Sequence, residues 1–224
     1  MMIPASKPMH ETHRLDVTGA VDADGHILEP PTLWEEYIDP AFRDRALRFT
    51  IDENGLEELE YDGQRSQLSR RGFPSTLGAM GYPDLGALQR DPERTYLVEA
   101  PFGTIHPGER LALLDAENID AAILYTTVGL LWEAEVTDPA LSQAYTKAYN
   151  RWICEFCADS PRLVPTAHLS LTDPAAAAKE LERAVGEGAK GAFVAPFNHD
   201  GIPLGHPNND VVFAAAQDLG VPFA

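Results

Sequence analysis

The chain has 224 residues, 44% of them hydrophobic, which is enough to bury the core of one domain and argues against wholesale disorder. Seventeen basic residues against thirty-five acidic ones give a formal charge of −18, which repels nucleic-acid backbones and anionic membrane surfaces. The N-terminus lacks the apolar core of a signal peptide and no run approaches the roughly 18 apolar residues of a membrane span, so the sequence reads as a soluble, cytoplasmic protein.

In chain order, a tail over residues 1–17 precedes a first β-rich run, "TGAVDAD" (18–24). An insertion follows over residues 31–107, longer than ordinary connections and therefore expected to carry structure or cover a site. Within it "ALRFTID" and "LEELEYD" flank "ENG", a hairpin whose Asn54-Gly55 dipeptide suits positive backbone angles. The remainder, residues 64–106, is rich in Gly, Pro and Arg and is predicted to be an irregular lid. Helical patterns then span 108–119, 138–160, 173–188 and 208–220, and they alternate with strand-like runs at 120–127, 162–170, 191–196 and 221–224. Such alternation predicts an α/β fold of parallel strands joined by right-handed crossovers. An apolar strand-like run at the end of the sequence suits a (β/α)₈ barrel, which needs about 250 residues, so the expectation is about the first half of such a barrel. Cys154 and Cys157 form a C-x-x-C within the 138–160 helix and read as buried thiols, because no second ligand pair accompanies them.

The stretch "VDADGHILEPP" (21–31) places two acids and a histidine at the carboxyl end of the first strand, where parallel α/β folds collect ligands. Period-two alternation predicts Asp22, Asp24 and His26 on one face, with Ala23 and Gly25 on the other. A carboxylate and an imidazole two residues apart can both reach a cation at about 2.0–2.2 Å, a donor mix suited to zinc, manganese or iron over calcium. From these residues alone an ordinary polar turn is the competing reading.

"VDADGHILEPPTLWEEYID" resembles the opening of the amidohydrolase-related family that includes aminocarboxymuconate-semialdehyde decarboxylase and the resorcylate decarboxylases. "RLALLDAENIDAAILYTTVGL", "AYNRWICEFCADSPRLVPTAHLSLTDPAAAAKELERAV" and "GAKGAFVAPFNHDGIPLGHPNNDVVFAAAQDLGVPFA" resemble its successive blocks, so the likeness covers most of residues 18–224. The resemblance implies a metal-dependent TIM barrel with Asp24 and His26 as first-strand ligands. Zinc is the first expectation for the divalent ion and manganese the second. It also implies hydrolysis or non-oxidative decarboxylation of a small cyclic or carboxylate-bearing substrate. The family's later-strand histidine and aspartate fall beyond Ala224. The alternative expectation is therefore a catalytically incomplete fragment, or a binding protein whose barrel a partner or second copy completes.

Glu29 and Trp34, just after the metal motif, and Asn198 and His199, beyond the run "GAFVAP", are further candidates for substrate contact. Thr126 and Thr127 could contact substrate or satisfy backbone. Arg70 and Arg71 could hold a carboxylate or sit solvated on the surface. His168 lies near a strand end, but no serine or cysteine nucleophile can be paired with it. No G-x-S-x-G, phosphate loop or dinucleotide fingerprint competes.

Overall fold

A computed structural model describes residues 7–79, 83–196 and 200–224. β1 (Val21–His26) leads into a short helix α1 (Leu33–Tyr37) and a 3₁₀ turn at Pro40–Arg45. The insertion then forms β2 (Arg48–Ile51), β3 (Glu57–Tyr61), β4 (Gln64–Arg65) and three one-turn helices, α2 (Pro74–Leu77), α3 (Leu85–Leu88) and α4 (Tyr96–Glu99). The rest alternates regularly: α5 (Pro107–Glu117), β5 (Ala121–Tyr125), α6 (Pro139–Cys157), β6 (Leu163–Leu169), α7 (Pro174–Glu187), β7 (Gly191–Val194) and α8 (Asp210–Leu219).

The main sheet runs β1-β5-β6-β7 with every pairing parallel. Short helix caps enforce the alternation. Asp138 and Asp173 each accept a first-turn N–H, with proline at the first helical position of α6 and α7, while Asn118 and Gly220 take left-handed angles that end α5 and α8. The expected run at 221–224 is narrower than a strand. Phe223 makes an isolated parallel bridge to Ala192, supported by Ala224 N–H donating to the Ala192 carbonyl at 2.9 Å.

α6 covers the sheet because Leu141, Ala144, Tyr145, Ala148, Tyr149, Trp152 and Ile153 recur at three- and one-residue steps and are all buried. Each large side chain on that stripe contributes about 1.5–3 kcal/mol of burial. Cys154 and Cys157 are free and buried on the same helix, and burial pushes their thiols up to about 11 and about 12.

The insertion is more ordered than its composition predicts. β2, β3 and β4 form an antiparallel sheet, and Asp52 Oδ1 accepts the N–H groups of Asn54 and Leu56 around Gly55, whose φ is +83°. Arg45 bridges Asp62 of the insertion and Asp138 at the start of α6. Glu135, after β5, accepts from the Ser66 hydroxyl at 2.5 Å and the Gln67 N–H at 2.6 Å. These ties fasten the segment over the carboxyl ends of the strands, where glycine and proline alone suggested loose chain.

Candidate metal centre

β1 does not keep strict alternation. Asp22 pairs with Ala122 and Gly25 with Leu124, so β1 advances three residues while β5 advances two, which is a bulge. Gly25 is required there, since a Cβ would sit 2.9 Å from Asp22 Oδ2 and 3.0 Å from the Ile123 carbonyl oxygen. The bulge is closed by Asp22 Oδ1 accepting the Asp24 N–H at 3.1 Å. Asp22, Asp24 and His26 nevertheless border one cleft of about 720 Å³, and Ala23 borders a separate hollow. Gly25 lies on the same cleft as the acids, against the expected alternation.

The His26 ring is oriented by the next strand. Its Nδ1 lies 2.8 Å from the Thr126 carbonyl oxygen, which can only accept, so Nδ1 carries the proton. That tautomer leaves the Nε2 lone pair free, and Nε2 sits 3.7 Å from Asp24 Oδ1. Two donors at about 2.1 Å from a tetrahedral ion are separated by about 3.4 Å, so the pair fits a divalent cation within a few tenths of an ångström. The Asp24 side chain is 89% exposed and that of His26 41%, so both remain accessible to an incoming ion. Among the described residues no third His, Cys, Asp or Glu joins them in a metal-binding group.

Arg110 of α5 holds the strand end. Its Nε donates to the Gly103 carbonyl at 2.7 Å and its Nη2 to the His26 carbonyl. Burial lowers this guanidinium from its ordinary value, and the charge of Asp22 works in the opposite direction. The opposite wall of the cleft comes from the insertion, through Gly78, Phe102 and Thr104, and Lys7 of the tail reaches across it to Glu99 at 2.7 Å.

Glu29 and Trp34 are not placed to contact substrate. Glu29 is fully buried, and its carboxylate accepts from the Thr126 hydroxyl and from the N–H groups of Thr127, Val128 and Gly129 at 3.0–3.1 Å. It caps the turn after β5, with Oε1 taking three of the four donors and Oε2 the Val128 N–H. Trp34 is fully buried against the Tyr145 ring, at 5.9 Å, because the α1 position that carries it faces α6. Asn198 and His199 lie outside the described residues. The Thr127 hydroxyl donates to the Ile27 carbonyl at 2.7 Å, so the threonine pair satisfies protein groups. Arg71 pairs with Glu53 and Glu58, and Arg70 is exposed.

Thr126 was legible only as a strand-end residue; its carbonyl as the anchor for His26 follows from the β1-β5 register. Glu133 went unnoticed, since no spacing in the sequence ties it to His168, whose Nε2 lies 3.3 Å from its carboxylate.

A parallel sheet with a carboxylate–imidazole pair at the carboxyl end of its first strand puts those side chains on the face where TIM-barrel folds carry their sites. Residues 21–224 match the family model described as Amidohydrolase, and the chain belongs to the amidohydrolase family. Among solved structures it is similar to an amidohydrolase from Mycobacterium avium subsp. paratuberculosis K-10 (TM-score 0.71, 24% identity, covering 93% of this chain and 58% of that one). It is also similar to 2,6-dihydroxybenzoate decarboxylase from Rhizobium (0.52, 22%, 92% and 49%). A third is 5-carboxyvanillate decarboxylase from Novosphingobium aromaticivorans DSM 12444, crystallised with bound manganese (0.56, 19%, 95% and 52%). Identities this low establish the fold: α/β, corresponding to about half of a TIM-barrel-type structure. The chain spans about half the length of these structures. No curated protein matches it significantly.

Proposed function

We propose that this chain supplies the first-strand half of a divalent-metal site in an amidohydrolase-family enzyme acting on a small cyclic or carboxylate-bearing molecule. The observation that carries the reading is the Nδ1–H of His26 donating to Thr126, which leaves Nε2 facing Asp24. A bound divalent ion would supply Lewis acidity, orienting a substrate oxygen and polarising a carbonyl or carboxylate. Asp24 and His26 would hold it, with zinc and manganese both within the donor chemistry of the pair.

The chain's own residues do the rest. Thr126 fixes the imidazole tautomer, and Glu29 fixes Thr126 by capping the turn that follows it. Arg110 locks the His26 carbonyl, so the ligand pair sits on a rigid strand end. The insertion residues Gly78, Phe102 and Thr104 form the wall of the cleft opposite the ligand pair. Decarboxylation is supported by the two decarboxylase neighbours, one of which carries manganese, and hydrolysis by the family's name.

A second reading, a site completed by donors from a partner chain, is favoured by the count of two donors among the described residues. Equilibrium dialysis against manganese and zinc tests the first. Saturable binding that is weakened by both Asp24→Asn and His26→Ala, with the fold intact by circular dichroism, supports the site. Binding unchanged in both variants eliminates it.

A further inference from the structure

The metal reading makes no use of the buried pair His168 and Glu133. His168, on β6, stands in register with Phe193 on β7, and the two rings stack at 4.5 Å with 16° between their planes. Trp132 closes on the imidazole at 5.3 Å, so its orientation is fixed by packing. His168 Nε2 lies 3.3 Å from Glu133 Oε2, with the two side chains 1% and 4% exposed. His168 Nδ1 is buried without a partner.

Oε2 of Glu133 is the oxygen that faces His168. No described donor meets Oε1, and Glu133 forms part of the wall of a cleft of about 380 Å³. That cleft lies between Leu68 and Phe73 of the insertion, Leu130 and Leu131 after β5, and Pro196 beyond β7. Among the described residues that line it, Glu133 is the one titratable group and Ser69 the one other polar side chain. An acceptor oxygen on a mostly apolar wall is free to take a hydrogen bond from a ligand that brings a donor in place of water, and the apolar side chains favour a ligand whose remainder is a ring. The space is that of one substituted ring.

We propose that Glu133, positioned by His168, anchors a small-molecule subsite for an apolar ring bearing a hydrogen-bond donor, either a phenolic hydroxyl or an amine. The subsite stands on β5, β6, β7 and the insertion, so it does not depend on metal at Asp24 and His26. An amine would bring its charge to Oε1, and a phenol its hydroxyl proton; the chemistry recognised is the donor. A second carboxylate would be repelled from the same position.

The test is titration of the full 224-residue chain with phenol, benzylamine and benzoate, followed by the His168 imidazole resonance and tryptophan emission. The expected result is a saturable shift with phenol or benzylamine and binding of benzoate at least about tenfold weaker, since charge and donor both oppose it. Whichever of the two binds identifies the donor, and Glu133→Gln should weaken it about tenfold, the difference between a charged and a neutral acceptor. Benzoate binding as tightly as both donors, no saturable shift with any probe, or an affinity within about twofold in Glu133→Gln would overturn the assignment. Should Glu133→Gln lose its fold by near-ultraviolet circular dichroism, Leu131→Trp decides instead. Filling the cleft must abolish the shift, and retention of the shift overturns the subsite.

Discussion

Replacing Glu29 with alanine should unseat the turn that orients His26. Among the described residues the carboxylate is the only acceptor for the Thr127 and Val128 N–H groups and takes the Thr126 hydroxyl, while the Gly129 N–H has a second acceptor in Thr126 Oγ1 at 3.0 Å. Three donors therefore lose their partner, and two of the residues, Thr126 and Val128, are fully buried. Each unsatisfied buried donor costs about 1–3 kcal/mol, and partial access of water to Thr127 lowers the sum, giving a loss of about 3–5 kcal/mol. For a chain of this size that corresponds to a fall in melting temperature of about 10 °C or more. Glu29→Gln keeps one acceptor oxygen but turns an N–H₂ toward the remaining donors, so it should cost about half as much. Urea denaturation of wild type and both variants, with a common m-value, measures these differences. A loss below about 1 kcal/mol for the alanine variant would refute the claim that Glu29 is the cap of this turn.

Three other consequences can be measured on the same protein. The Glu57 carboxyl, half-buried and accepting the Tyr96 N–H at 2.6 Å, is pushed up from 4.5 to about 7 chiefly by desolvation, so the native state holds its proton more tightly than the unfolded chain. Stability from this group is complete below about pH 4.5 and is lost as pH rises through about 7, a change on the order of 2 kcal/mol after allowance for partial exposure; Glu57→Gln should flatten that slope in urea titrations at pH 5 and 8, and an identical slope would exclude Glu57. Cys154 and Cys157 should resist a thiol reagent at neutral pH in the native protein and react fully in denaturant, with rapid native labelling counting against their burial. Trypsin should cut first at exposed Arg70, Arg71 or Arg90 in the insertion, and cleavage confined to the N-terminal tail would show the insertion to be closed and rigid.

The alternating half of the fold was legible because its signals are local. Asp138 and Asp173 before proline, and Gly188 and Gly220 at helix ends, bound α6, α7 and α8 within a few residues of their observed limits. The hairpin was legible from Asn54-Gly55 for the same reason. What escaped depends on partners distant in sequence. The β1 bulge exists because Gly25 meets Ile123 and Asp22 at once, which period-two counting cannot foresee. Glu29 resembled a pocket residue by position, and only the return of residues 126–129 to its carboxylate makes it a cap. Trp34 likewise is assigned to the core by Tyr145, more than a hundred residues on. The ordering of the insertion rests on Arg45, Asp62, Asp138 and Glu135, charges whose pairing no spacing reveals.

The central claim is that His26 presents Nε2, beside Asp24, to a divalent ion. Pulsed electron paramagnetic resonance of manganese bound to the chain tests it directly, by the modulation that an imidazole nitrogen impresses on the electron spin echo. The account predicts nitrogen modulation in the wild type, its loss in His26→Ala, and its retention with weaker binding in Asp24→Asn. Nitrogen modulation that persists undiminished in His26→Ala would contradict it.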